Sequence, residues 1–257
     1  MLKRFSKILF TVLVLGYVAI GALLYKFQEK LLYHPTPDIH TDYGGFTLNE
    51  KDVKVYVHVL NPGHRNAILY FGGNGESMAK SSDYIARQFP AITCYLMDYR
   101  GYGSSTGTPN EKNIFTDALA LYDKVKQKHK RISIGGRSLG TGVAMYVAAH
   151  REVSKLALIT PYDSIVSVAQ ERYPLYPASL LLKDKYDSLS LVSKVKAKTF
   201  IVLAENDRII PRQHAQRLID AFKKGQLTVD MITGRGHNDI SDDKRYYRIM
   251  QTFIGKG

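Results

Sequence analysis

Hydrophobic and polar positions divide the chain into two regimes. Residues 8–25 (ILFTVLVLGYVAIGALLY) run without one charge, approaching the length a helix needs to cross the hydrocarbon core of a bilayer. Beyond residue 42 the apolar runs are short. Residues 53–60 (VKVYVHVL) alternate apolar and polar positions, as a half-exposed strand near a sheet edge does. Residues 67–71 and 92–97 predict buried strands, with a helix near 81–88 between them. The pattern continues with a helix over 112–128, a strand over 131–135 and a helix over 139–150. Further strands are predicted at 156–160, 199–204 and 227–232, and helices at 213–222 and 242–253. Such alternation predicts a mostly parallel sheet covered by helices on both faces. There is no internal repeat and no low-complexity segment.

The apolar stretch has basic flanks: Lys3, Arg4 and Lys7 precede it, and Lys26 and Lys30 follow, placed to snorkel to the interface. A cleaved signal peptide needs a small-residue site. Ala19-Ile20-Gly21 is a weak one, and apolar residues continue past it. The reading is an uncleaved signal anchor over residues 1–30. One catalytic domain over 31–257 follows, opening with a proline-containing connector (33–38) that leads to regular structure from near residue 42. The slight basic excess before the helix puts the N-terminus in the cytoplasm. The domain then faces the other side, read here as the periplasmic side of a bacterial inner membrane.

Composition adjusts this picture at two points. The net charge of +13 has no nucleic-acid module beside it, so attraction to anionic lipid is the simpler use of the charge. The single cysteine, Cys94, excludes an internal disulfide framework. It lies in a predicted strand, which favours an inert, buried thiol.

Candidate chemistry begins at Gly136-Arg137-Ser138-Leu139-Gly140. A G-x-S-x-G run between a strand and a helix is the setting of a nucleophile elbow, where a sharp turn lifts the serine hydroxyl above the sheet. Serine is a poor nucleophile unless a base stands beside it. His237 is the last histidine in the chain and sits in a loop after the strand 227–232. The order Ser…Asp…His then asks for an acid after the strand 199–204. Asp207 is the choice there and Glu205 the alternative. Asp239, with Ser241, Asp242 and Asp243, reads as the cap of the following helix. The glycine-rich run 72–75 follows a strand and fails as a phosphate cradle. Backbone N–H groups of Asn74 and Leu139 are the expected oxyanion hole. No metal site and no cofactor are expected.

Taken together, the blocks 71–75, 98–105 (DYRGYGSS), 136–142, Asn206-Asp207 and Gly236-His237 resemble the α/β-hydrolase superfamily over residues 42–257. Within it, the likeness is to the membrane-associated α/β-hydrolase-domain serine hydrolases, including the depalmitoylase-like and serine-peptidase-like groups. The resemblance implies a doubly covered, mostly parallel sheet with a short helical cap over about 161–198, preceded by one transmembrane helix. It also implies hydrolysis of carboxylic esters or thioesters of acyl or lipid-like substrates through an acyl-enzyme. A serine peptidase and a catalytically silent scaffold are the alternatives. Where that group has His-Gly-Asn, this chain has Gly72-Gly73-Asn74. The expected partners are an acylated or small-molecule substrate and membrane lipid, with no nucleic acid. The sequence leaves the oligomeric state open.

Overall fold

A computed structural model describes residues 2–50 and 52–255. The first element is a long helix, α1 (Leu2–Leu32). The strand β1 (Gly45–Glu50) follows, then β2 (Val53–Leu60) and β3 (Asn66–Phe71). Next come α2 (Met78–Gln88), β4 (Thr93–Met97), α3 (Glu111–Lys126), β5 (Arg131–Arg137), α4 (Leu139–His150) and β6 (Lys155–Ile159). The cap holds three short helices: α5 (Ile165–Arg172), α6 (Ala178–Leu181) and α7 (Ser188–Leu191). After it lie β7 (Lys198–Ala204), α8 (Arg212–Ala221), β8 (Leu227–Ile232) and α9 (Lys244–Gly255).

The eight strands form one sheet in the order β1-β2-β4-β3-β5-β6-β7-β8. The β1–β2 and β2–β4 pairs are antiparallel and the remaining pairs parallel. Because side chains alternate across a pleated strand, each central strand feeds two cores. Leu69 and Phe71 of β3 pack with Ile134, Leu158 and Ile201 against the α3, α4 and α8 side. Ile68 and Tyr70 pack with Leu96, Ile159 and Val202 against α2 and α9. The near-continuous burial of β4, β6 and β7 is what a parallel sheet covered on both faces requires.

Local chemistry sets several boundaries. Asn110 caps α3 by accepting from the Asn113 amide at 2.8 Å. Ser77 caps α2, so that helix begins three residues before its predicted start. The helix predicted over 242–253 is α9, shifted by two residues and preceded by a short 3-10 turn (Ile240–Asp242). The edge strand β1 was not expected. Of its six residues, the apolar Phe46 and Leu48 alternate with polar neighbours, too few to register as a periodic signal.

The connector is not free chain. Tyr33 is 3% exposed, and its hydroxyl meets Asp184 at 2.7 Å and Tyr186 at 2.9 Å. The Thr36 carbonyl accepts from the Gly103 amide at 3.0 Å. The helix itself runs to Leu32, past the predicted boundary at residue 30. Its segment Lys3–Leu32 is long and apolar enough to cross a membrane.

Candidate active site

Ser138 stands between β5 and α4 with φ 49° and ψ −119°, a backbone conformation that L-residues with side chains rarely adopt. The surrounding packing holds it there. The Ser138 amide donates to the Ile159 carbonyl at 2.9 Å, and the Thr141 hydroxyl donates to the Ser138 carbonyl at 2.6 Å. The flanking glycines admit close backbone approach: a Cβ on Gly140 would overlap the Phe71 carbonyl, and one on Gly136 the Gly140 carbonyl.

Two other loops at the same end of the sheet reach this serine. His237, on the loop after β8, lies with Nε2 2.8 Å from Ser138 Oγ and Nδ1 2.8 Å from Asp207 Oδ2. A carboxylate only accepts, so Nδ1–H donates to Asp207, which leaves the Nε2 lone pair to accept the Ser138 O–H. Asp207, on the loop after β7, is oriented in turn. Its Oδ1 accepts from the Ile209 amide at 2.9 Å and the Ile210 amide at 2.8 Å. The side chains of His237 and Asp207 are 7% and 9% exposed. Glu205, the alternative acid, points elsewhere and accepts from the Gly234 amide at 2.7 Å.

The expected oxyanion donors flank the serine. Leu139 is the first residue of α4, immediately after Ser138. Asn74 follows Gly73, whose Cβ position would lie 3.6 Å from Ser138 Cβ. Neither N–H is taken up in a hydrogen bond with another described residue. The loop is braced by Glu76, whose carboxylate accepts from the Gly73 amide at 2.8 Å, the Tyr70 hydroxyl at 3.1 Å and the Ser81 hydroxyl at 3.2 Å.

Three bracing roles had no signal in the sequence. Arg137, the variable residue before the serine, donates through Nη2 to the His237 and Asn238 carbonyls, both at 3.1 Å. It thereby ties the elbow to the histidine loop. Burial opposes its charge, but Glu76 facing it holds the guanidinium above its ordinary value. Asp239 does not cap a helix through its side chain, as the sequence suggested. Its Oδ1 accepts from the Gly236 amide at 2.7 Å, bracing the loop that carries His237. The side chain of Asn74 is held on three sides. Its Nδ2 donates to the Leu32 carbonyl at 2.5 Å, and its Oδ1 accepts from the His34 amide at 2.9 Å and the Tyr102 hydroxyl at 2.8 Å. Among the described residues, no three His, Cys, Asp or Glu side chains converge as ligands for one metal ion.

The sheet order, the strained serine after the fifth strand and the helical cap define the class: this chain is an α/β-hydrolase-fold protein. The family model described as alpha/beta hydrolase fold matches residues 66–191. The chain is 28% identical to an uncharacterised protein of Mycobacterium tuberculosis over 256 residues, covering 93% of this chain and 90% of that one. It is 26% identical to human alpha/beta hydrolase domain-containing protein 17B over 204 residues, 76% of this chain and 68% of that one. Among solved structures, an esterase of Pyrococcus furiosus superposes with a TM-score of 0.66 at 16% identity, covering 86% of this chain and 98% of that one. Alpha/beta hydrolase domain-containing protein 10 from mouse gives 0.66 at 15%, covering 82% and 97%.

Proposed function

We propose that this protein is a membrane-tethered serine hydrolase that cleaves carboxylic esters or thioesters of acyl substrates, with Ser138 as nucleophile, His237 as base and Asp207 as acid. One observation carries the reading: a continuous chain of 2.8 Å contacts from Asp207 through His237 to Ser138, at a strained elbow near two N–H groups that no other described residue engages. A structural serine needs neither the strain nor the histidine.

Chemistry follows from the geometry. Ser138 Oγ attacks the substrate carbonyl carbon while Nε2 of His237 takes its proton. The carbonyl oxygen gains negative charge and turns toward the N–H groups of Asn74 and Leu139. Asp207 holds the imidazole in the tautomer that can accept the proton, and stabilises the imidazolium. The C–O or C–S bond then breaks, and the leaving group takes the proton from His237. A water molecule, deprotonated by the same nitrogen, releases the acid and restores Ser138. Acyl substrates are favoured by the apolar cap tip, where Leu175 is 77% and Leu180 80% exposed, and by the apolar helix next to it. The tether reading rests on α1, with the hydrolase domain on the non-cytoplasmic side.

A fluorophosphonate probe tests the assignment. It should label the wild-type protein once, at Ser138, and Ser138→Ala should abolish both labelling and turnover of a short nitrophenyl ester. Labelling that survives the substitution would remove the nucleophile. A peptide amide in the same assay separates ester from peptide hydrolysis.

A further inference from the structure

Between α1 and the cap lies a groove of about 150 Å³. One wall is the face of α1 that carries Leu24, Gln28 and Leu31, and the other is Ala169 of α5 and Leu181 of α6 with Tyr173 between. Gln28, the one amide side chain in the walls, has its polar atoms engaged. Nε2 donates to the Tyr25 and Leu181 carbonyls, and Oε1 accepts from the Lys183 amide. What remains to meet an occupant is mainly hydrocarbon and aromatic surface.

The position of the groove identifies its occupant. Tyr17 stacks on Tyr176 with ring centroids 4.7 Å apart, and its hydroxyl donates to the Leu175 carbonyl at 2.8 Å. Tyr17 precedes Tyr25 by eight residues, about 12 Å along the helix axis. With the apolar span of α1 in a bilayer, the cap tip stands level with lipid hydrocarbon, and the exposed Leu175 and Leu180 have lipid for a neighbour. The other end of the groove reaches Leu32. The Leu32 carbonyl accepts from Asn74, on the loop that meets Ser138. The groove therefore runs from the level of the bilayer to Leu32, the residue whose carbonyl holds the loop of the candidate oxyanion hole.

We propose that this groove holds the acyl chain of the scissile substrate, which enters sideways from the bilayer, so that the anchor helix is one wall of the binding site. This rests on the serine-hydrolase reading above and adds to it where the chain lies. Apolar walls without an unengaged amide suit methylenes, and a chain that leaves the bilayer for the groove exchanges loose lipid contacts for close-packed ones, each methylene adding van der Waals contact with the walls. Selectivity should therefore climb with chain length until the groove is filled.

The test is a series of nitrophenyl esters with acyl chains of two to sixteen carbons, run on the full-length protein in detergent micelles. Its readout is the ratio of long-chain to short-chain kcat/KM. Ala169→Trp fills the groove and should lower that ratio at least tenfold. Leu181→Ala widens it and should move the preferred length by two or more carbons. The ratio of the labelling rates of hexadecyl and ethyl fluorophosphonates at Ser138 should shift as the kcat/KM ratio does, which gives a reading that needs no turnover. A chain-length profile unchanged in both variants, or a loss shared evenly by all lengths, would overturn the groove. Wild-type protein that neither turns over any ester nor takes up either probe would instead overturn the hydrolase reading, and the groove proposal with it.

Discussion

Replacing Asp207 by Asn separates an acid that directs the histidine from one that merely shapes a loop. Oδ1 of Asp207 accepts the Ile209 and Ile210 amides, while Oδ2 faces His237 Nδ1 at 2.8 Å. In Asp207→Asn the amide oxygen can keep both backbone bonds, so the loop should stay in place and the melting temperature should move little. The amide NH₂ then faces Nδ1 and donates to it. That forces the proton onto Nε2, the atom that must accept from Ser138. In the serine-protease template this wrong tautomer lowers kcat about ten-thousandfold, equivalent to about 5.4 kcal/mol at 1.36 kcal/mol per decade. Glu205→Gln, two residues away on the same loop, retains an acceptor for the Gly234 amide and should change kcat less than threefold. The assay is hydrolysis of a short nitrophenyl ester at pH 7.5, with circular dichroism melts on both variants. Retention of more than a tenth of wild-type kcat in Asp207→Asn, or a larger loss in Glu205→Gln, would refute the assignment.

Three further outcomes follow from the packing. A chain beginning at residue 24 should fold and hydrolyse short esters as wild type does, whereas one beginning at residue 36 lacks the Leu32 carbonyl and His34 amide that hold Asn74 and should lose at least tenfold in kcat. Burial pushes the Cys94 thiol up to about 12, so it stays protonated at pH 8 and should react with a thiol reagent only after denaturation. Burial works to raise Asp163, but the hydrogen bonds from Arg217, His214 and the Ser164 amide outweigh it and hold its carboxyl below the ordinary value. That stabilisation is complete above the unfolded-state pKa of about 3.9 and fades as pH falls through the lower folded value, so thermal melts of wild type and Asp163→Asn should differ at pH 7 and converge below pH 4.

The parts of this molecule that could be read from sequence are those whose cause is local. The inner parallel strands announce themselves because they bury both faces, and the elbow because glycine is the residue type that fits beside its serine. The order Ser138, Asp207, His237 is legible because each stands at a strand's C-terminal end. What sequence could not convey depends on partners far along the chain. The Asn74 side chain contacts Leu32, His34 and Tyr102, and His214 contacts Asp163. Neither leaves a periodic trace. Arg137 occupies a motif position that any residue can fill. The cap's α5 contains no fully buried residue, so it gives no core signal.

The apolar N-terminal helix is the most visible feature of the sequence, and its end makes more contacts with the domain than tethering requires. An anchor alone has no need to touch the domain it carries, since tethering acts through local concentration. Here the last turn of α1 supplies Gln28 to the cap and the Leu32 carbonyl to Asn74, and the next two residues supply the Tyr33 hydroxyl and the His34 amide. A shift of the helix relative to the domain should therefore displace the Asn74 side chain, and with it the proposed oxyanion N–H of Asn74 on the loop whose Gly73 lies against Ser138. The two truncations separate these roles. If the chain beginning at residue 36 were as active on short esters as the chain beginning at residue 24, the contacts to Asn74 would be packing alone. A selective loss of kcat at unchanged KM would identify the helix end as part of the hydrolytic machinery.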